Sequence, residues 1–425
     1  KKYATMSATR PFKTCLAPMV RCGTLPLRLM ALKYGADYVY SPEIIAIKLA
    51  RCKRVENKVL GSVDFVTIKS NELVLRTIKA DRPCIVQLGA SNAEIAVQAT
   101  RVIQHDFFGV DLNMGCPKHF SVSGGMGAAL LTNPDAATDI LQQLIANFPH
   151  LQISCKIRLL HSTEATIDLM QKLAATGVRN IAVHCRERHE RPRDSAHWPE
   201  LKTILEQCKF NTPIYVNGDV FKHTDLPAAH QATGCDGIMI ARGALRNVSL
   251  FAENPLPCRD IWIEYIKLAI QYDMHPSNLK YTLNRMMGSA PTSEKDSDIC
   301  MQVTRTKSHD DVCALFGLND FLQQVRDERE AKKQALLAAG LPLIVECAVP
   351  SAECWGDEPP NTGAPAATPA SSAPSTNDTT TSTTTTTSTT TTTTTINSST
   401  IDVVKPDSES PSSLEQAPKK IKLTE

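Results

Sequence analysis

The sequence predicts an α/β fold: a closed (β/α)8 TIM barrel, followed by a small all-α helical domain and a disordered C-terminal tail. Three observations predict it. Short apolar, β-branched-rich runs alternate with segments of helical spacing from about residue 14 to 250. These runs are apolar on both faces, as in a parallel sheet covered by helices. Eight such units in about 235 residues is the count and size of a closed barrel. A doubly wound sheet instead needs Gly-x-Gly-x-x-Gly straight after a strand. Gly124-Gly125-Met126-Gly127 comes about ten residues past its strand and lacks the third glycine.

The expected strands, in order, are Thr14–Val20, Asp37–Pro42, Cys84–Gly89, Gly109–Asn113, Gln152–Leu159, Asn180–Cys185, Pro213–Asn217 and Asp236–Ala241. Helix starts are marked by a capping-box pattern at Ser91-Asn92-Ala93-Glu94 and by Asn133-Pro134. Gly35, Gly177 and Gly234 mark helix ends. The barrel domain is expected over 12–256, after a disordered N-terminus at 1–11. Residues 46–82 interrupt the rhythm. Asp64–Ile68 and Leu73–Arg76, joined through Ser70-Asn71-Glu72, predict a β-hairpin insertion. Over 257–340 the pattern is wholly helical, with helices expected at Ile261–Ala269, Leu279–Met287, Asp310–Leu315 and Asp320–Ala339. From 350 to 425 the composition turns to Pro, Ala, Ser and Thr, too polar to offset ordering entropy, so this tail is expected to be disordered.

Net charge is +2, but unevenly spread. The tail from 351 holds four Lys, no Arg and nine Asp/Glu, leaving 42 basic against 35 acidic residues, or +7, before it. A mildly basic body is compatible with a polyanionic partner. The fourteen cysteines are scattered, several within apolar runs, and predict reduced thiols in a cytoplasmic protein. Pro418-Lys419-Lys420-Ile421-Lys422 fits a short charged terminus better than a weak nuclear-import signal, which leaves a nuclear fraction open. No run reaches 18 apolar residues, so no membrane span is expected. No ligand spacing supports zinc or an iron–sulfur cluster, so no metal is expected.

Barrel chemistry sits at the carboxyl ends of the strands. There the run Val110-Asp111-Leu112-Asn113-Met114-Gly115-Cys116-Pro117 delivers a thiol, Cys116, to the mouth. The loop Lys118–Leu131 that follows has the length of a functional lid. Other strand tips carry Pro18 and Met19, Gln87, Lys156 and Arg158, and His184 and Arg186. The last two strands run into Asn217-Gly218-Asp219 and Ala241-Arg242-Gly243. Loops after strands seven and eight are this fold's recurring phosphate site, and Arg242 adds a charged donor. With a Gln to read a ring edge and a Lys to stabilise anionic charge, these residues point to flavin mononucleotide (FMN).

The chain resembles the tRNA-dihydrouridine synthases over about residues 12–340. The motifs are Leu16-Ala17-Pro18-Met19-Val20, Asp111–Pro117, Lys156-Ile157-Arg158, Val183-His184-Cys185-Arg186, Val216–Asp219 and Ile240–Gly243. The resemblance implies a flavin barrel plus a helical domain, acting on a D-loop uridine of tRNA, position 20, with NADPH as reductant. It implies FMN binding by Pro18, Met19, Gln87, Lys156, His184, Asn217, Gly218, Asp219, Ala241, Arg242 and Gly243. It implies Cys116 as general acid and Asn113, Arg158 and Arg186 as contacts to the target base. The basic run from His184 to Arg193 and the helix bearing Lys280, Tyr281 and Arg285 are expected to meet RNA backbone. A monomer is expected. Three alternatives remain open from the residues: another FMN barrel acting on free pyrimidines, a Schiff-base aldolase using Lys156, and a non-catalytic tRNA-binding barrel.

Overall fold

The structure, a computed structural model, describes residues 10–288 and 294–347. Of the expected N-terminal segment only Arg10 and Pro11 fall within these, and the expected tail at 350–425 lies outside the described residues.

Eight parallel strands close into a barrel: β1 (Lys13–Leu16), β2 (Tyr38–Tyr40), β3 (Cys84–Gly89), β4 (Gly109–Asn113), β5 (Gln152–Arg158), β6 (Ile181–His184), β7 (Ile214–Asn217) and β8 (Gly237–Ile240). Each pairs with the next, and β8 returns to β1. Period two then assigns the side chains. On β5, Ile153, Cys155 and Ile157 join the core under the helices, so Ser154, Lys156 and Arg158 point inward. On β4, Val110 and Leu112 face the helices, and Asp111 and Asn113 face in. A smaller apolar cluster, Cys15, Ala17, Tyr40, Ile85, Ala182, Tyr215 and Met239, plugs the barrel interior. The polar inward residues sit above it, toward the carboxyl ends.

Local signals act much as the residues dictate. Asn133 caps Pro134–Asn147 by accepting from the Ala136 N–H at 3.3 Å. The helix Ala93–Ile103 is capped by Asn92, which accepts from the Ile95 N–H at 3.1 Å, and not by Ser91. Gly234 ends Asp225–Thr233 in the left-handed conformation.

Three differences from the sequence reading are structural findings. The insertion is a meander of three antiparallel strands, Cys52–Asn57, Ser62–Thr67 and Leu73–Thr77, not a two-stranded hairpin. A fourth strand, Ile344–Cys347, joins it beside Cys52–Asn57. The helical region holds five helices, Cys258–Gln271, Pro276–Met287, Glu294–Arg305, His309–Phe316 and Asn319–Ala338. The third was not expected. This region shares one continuous apolar core with the barrel helices, with Trp262, Tyr265 and Met286 buried in it. Glu264 ties it to the first barrel helix, Leu25–Lys33, through Lys33 at 2.7 Å and the Tyr34 hydroxyl at 2.6 Å.

A fully buried ion pair braces the insertion against the barrel. Arg28 reaches Asp81 at 2.6 Å and also donates to the carbonyls of Gly23 and Arg76, both at 2.8 Å. One guanidinium thus links the loop after β1, the insertion and the approach to β3. Among the described residues no helix is long and apolar enough to cross a membrane. Nor is any group of three potential metal ligands found among them.

Candidate active site

A cavity of about 270 Å3 opens at the carboxyl end of the barrel. Pro18, Val20, Glu43, Gln87, Asn113, Gly115, Cys116, Pro117, Lys156, Arg158 and His184 line it. Strand register explains the convergence: Gln87 aligns with Asp111, Asn113 with Lys156, and Arg158 with His184.

Beneath the cavity runs a chain of hydrogen bonds. Asp111 is fully buried and accepts from Gln87 Nε2 at 2.8 Å and Ser154 Oγ at 2.7 Å. Burial pushes its carboxyl up to about 6, against those two donors and Lys156. Gln87 Oε1 in turn accepts from Asn113 Nδ2 at 3.1 Å. Asn113 Oδ1 accepts from the backbone N–H groups of Gly115 at 2.9 Å and Cys116 at 3.0 Å. Asn113 therefore clasps the turn that presents the thiol. Arg158 closes the turn from the other side, donating to Gly115 O at 2.8 Å.

The loop after Cys116 folds back on it. Ala128 N–H donates to Cys116 O at 2.9 Å. Gly127 makes this return possible: its φ is +57°, and a Cβ there would stand 2.7 Å from Cys116 O. The segment expected as a lid is largely structured, as the short helix His119–Ser123 and a 3-10 turn, Gly127–Thr132, with Leu130 and Leu131 buried. Burial pushes the Cys116 thiol up; a backbone contact at Lys118 opposes this, and the nearby Glu43 carboxyl adds to it. The thiol is therefore in its proton-bearing form at neutral pH.

Lys156 faces the cavity without a hydrogen bond or ion pair to its ammonium among the described residues. Burial, then Arg158, lowers it to about 8, with Asp111 opposing. Burial and the cations Lys156, Arg158 and Arg186 drive His184 far down, so its ring is neutral.

The remaining sequence-predicted residues form a second cluster around Asp219. Its carboxylate takes Arg186 Nη2 on both oxygens at 2.6 Å, Arg242 Nη2 at 2.6 Å and the Ala196 N–H at 2.7 Å. Burial opposes ionisation there, but the Arg186 hydrogen bonds lead the net lowering. Gly218 has φ +135° and its carbonyl accepts from Trp198 Nε1 at 3.1 Å. Asn217 is spent on Met239 O at 2.7 Å. Arg242 is 43% exposed in its side chain and also donates to Pro192 O at 3.0 Å. Ala241 and Gly243 flank it at the start of Arg242–Arg246. Met19 lies behind Pro18, partly buried against the core.

Two candidates for base contact are thus engaged elsewhere. Arg186 is 2% exposed and held by Asp219 and by Asp194 O at 2.7 Å, outside the cavity lining. Asn113 lines the cavity, but its acceptor oxygen is committed to the turn. Arg158 both lines the cavity and braces it. In the helical region Lys280 turns from solvent to donate to Thr306 O at 2.7 Å, whereas Arg21 and Arg285 flank the Tyr281 ring at 4.0 and 5.3 Å. Sequence reasoning missed Glu43, Asp111 and Ser154. A polar residue just past the second strand, Ser41-Pro42-Glu43, was the available signal for the first. Inward period-two positions were the signal for the others.

The residues fit a flavin: a cation with no carboxylate partner, amides and a neutral imidazole surround one hollow. A second hollow of about 770 Å3 adjoins it through Pro117, and its charged and imidazole lining is Lys118, His161, Glu187, Arg188, His189 and Arg191.

A family model described as Dihydrouridine synthase (Dus) matches residues 15–306. A Schizosaccharomyces pombe protein named tRNA-dihydrouridine(20) synthase, with NAD(P)+ in its name, is 44% identical over 285 residues. That match covers 65% of this chain and 59% of the relative, so the chain spans about three fifths of that protein's length. A Saccharomyces cerevisiae protein of the same name is 37% identical over 353 residues, covering 76% of this chain and 91% of the relative. A human tRNA-dihydrouridine(20a/20b) synthase-like protein is 33% identical over 281 residues, covering 64% and 82%.

Proposed function

The chain belongs to the dihydrouridine synthase family, and from that premise we propose that it reduces the C5=C6 bond of a D-loop uridine in tRNA, position 20, using FMN and NADPH. One observation carries this reading. A proton-bearing thiol, a cation with no carboxylate partner and a neutral imidazole line one cavity at the mouth of one barrel. The names of the two yeast relatives support position 20.

The chemistry asked of a bound flavin is hydride delivery to C6 of the uracil, with NADPH as the electron source. Gln87, Lys156 and His184 would hold its ring system. The cluster of Asn217–Asp219 and Ala241–Gly243, with Arg242 exposed, would take its phosphate. Lys156 offsets negative charge that builds in the cavity, with greater effect than in water because the site is partly dry. Cys116 gives its proton to C5 of the uracil as charge collects there. A raised thiol suits an acid and not a nucleophile. The target base must leave its stack to enter so narrow a mouth. The second hollow beside Pro117, with Lys118, Arg188 and Arg191 outnumbering Glu187 on its wall, would take the flanking phosphates.

The test is to incubate purified protein, NADPH and unmodified tRNA and to map dihydrouridine by mass spectrometry. Cys116→Ala is expected to keep its yellow flavin and lose turnover by roughly 10²- to 10⁴-fold. A colourless protein, with Lys156 trapped by borohydride on a carbonyl substrate, would overturn the reading in favour of an aldolase.

A further inference from the structure

The cavity wall holds one carboxyl group that the chemistry above does not use. Glu43 lies three residues beyond β2 and points into the cavity with Cys116. Its Oε1 is buried and has no hydrogen-bond partner. Such an atom costs about 1–3 kcal/mol and has no place in a merely structural network. The fold makes room for it. Gly89, the last residue of β3, would with a Cβ stand 2.9 Å from Glu43 Oε1.

The carboxyl and the Cys116 thiol are near enough to perturb each other's protonation. The other groups bordering them are cationic or neutral. The Lys118 charge acts on Glu43 while its backbone contacts the sulfur, the Arg158 guanidinium lies near enough to feel Cys116, and the Ser121 hydroxyl also borders the sulfur. Cations beside a thiol favour the thiolate, and a thiolate has no proton to deliver. A carboxylate beside the same sulfur reverses that bias.

We propose that Glu43 is a positioning residue that keeps Cys116 loaded with its proton against the backbone N–H at Lys118, the Ser121 hydroxyl and the nearby Arg158 guanidinium. The inference rests on Cys116 as the proton donor. In each cycle the S–H bond breaks as the C5–H bond forms, and the thiolate left behind regains a proton from solvent. Glu43 sets that return toward the thiol.

The experiment follows iodoacetamide alkylation of Cys116 in the holoprotein across pH, read on its own peptide by mass spectrometry. Glu43→Gln is expected to move the profile to lower pH and to quicken alkylation near neutrality by roughly three- to tenfold. Glu43→Asp keeps the charge and is expected to restore most of the wild-type profile. Gly89→Ala displaces the carboxyl without touching it and is expected to shift the profile in the same direction by less. The alkaline limb of kcat should follow, with KM for tRNA unchanged. Profiles that stay at the wild-type position in both Glu43→Gln and Gly89→Ala overturn the proposal. If Glu43→Gln does not fold, Gly89→Ala decides alone: a shift supports the coupling and none refutes it. A shifted profile in a protein whose Cys116→Ala variant still makes dihydrouridine would sink the reading of Cys116 as donor and leave the Glu43 coupling standing.

Discussion

Asn113→Ala isolates what holds the thiol in place. The side chain makes three hydrogen bonds, to Gln87 Oε1 at 3.1 Å and from the N–H groups of Gly115 and Cys116 at 2.9 and 3.0 Å. At about 0.5–1.5 kcal/mol net each, their loss destabilises the fold by roughly 1.5–4.5 kcal/mol. Water can re-satisfy the two N–H groups, which lie on a half-buried turn, so the lower half of that range is expected. The catalytic effect is expected to be larger than the stability effect. Freed from its clasp, the Cys116 turn relaxes, and a misplacement of about 1 Å costs on the order of 100-fold in rate. The assay is single-turnover dihydrouridine formation on tRNA with pre-reduced protein, alongside urea unfolding and flavin absorbance. The expected result is a rate lower by about two decades, nearly full flavin and a modest stability loss. Asn113→Asp keeps an acceptor for both N–H groups and is expected to recover part of the rate. A variant that loses stability but turns over at the wild-type rate would refute the clasp. So would one whose rate falls only in proportion to lost flavin.

Other outcomes follow from the same geometry. Arg28→Met strands a fully buried Asp81 and is expected to lower stability by about 3–5 kcal/mol, with Arg28→Met/Asp81→Leu recovering most of it in urea unfolding. Lys156→Met is expected to stabilise the flavin-free protein at pH 7 while weakening flavin binding. Burial lowers the folded ammonium to about 8 against about 10.4 unfolded, so its charge costs about 3 kcal/mol below pH 8, fading between the two values. Thermal melts at pH 7 and near pH 10 check the sign. Asp219→Asn is expected to free Arg186 and Arg242 and to weaken flavin retention on dialysis. Because the Asp219 carboxyl is held below its ordinary range, its contribution is present above about pH 4 and lost as pH falls through the folded value. Unfolding curves from pH 7 down to 3 should show that loss in the wild type and not in the variant.

Much of this arrangement was legible because local rules and global fold agree. Runs such as Gly109–Asn113 and Gln152–Arg158 could be placed as strands by their apolar β-rich composition, and the structure shows that their apolar alternates face the helices and their polar alternates the barrel interior. Cys116 could be placed at the mouth because Gly115 and Pro117 end its strand. What was hidden depends on distant partners. Ile344–Cys347 is four residues long and half exposed, and only its pairing with Cys52–Asn57 makes it a strand. Glu294–Arg305 offers too few apolar positions to reveal a buried face. Lys280 and Arg186 look like free cations in sequence, and carbonyl and carboxylate partners 26 and 33 residues away absorb them.

The two charged clusters of the mouth differ in a way that bears on their roles. At the Asp219 cluster, Arg186 is fully neutralised by a bidentate carboxylate and buried, and Arg242 shares the same oxygen while remaining 43% exposed. One positive charge is left over, placed by a rigid support, which suits a phosphate that stays bound. In the cavity, Lys156 has no such partner, and the nearest acid in the network, Asp111, is already engaged by Gln87 and Ser154. That cation is held at a cost to the folded state, and an anionic ring or a charge developing during reaction relieves the cost. Stability and chemistry therefore pull oppositely at Lys156 and together at Asp219. A single substitution at each site, with stability and flavin retention measured in both, separates a ligand anchor from a reaction-stage stabiliser.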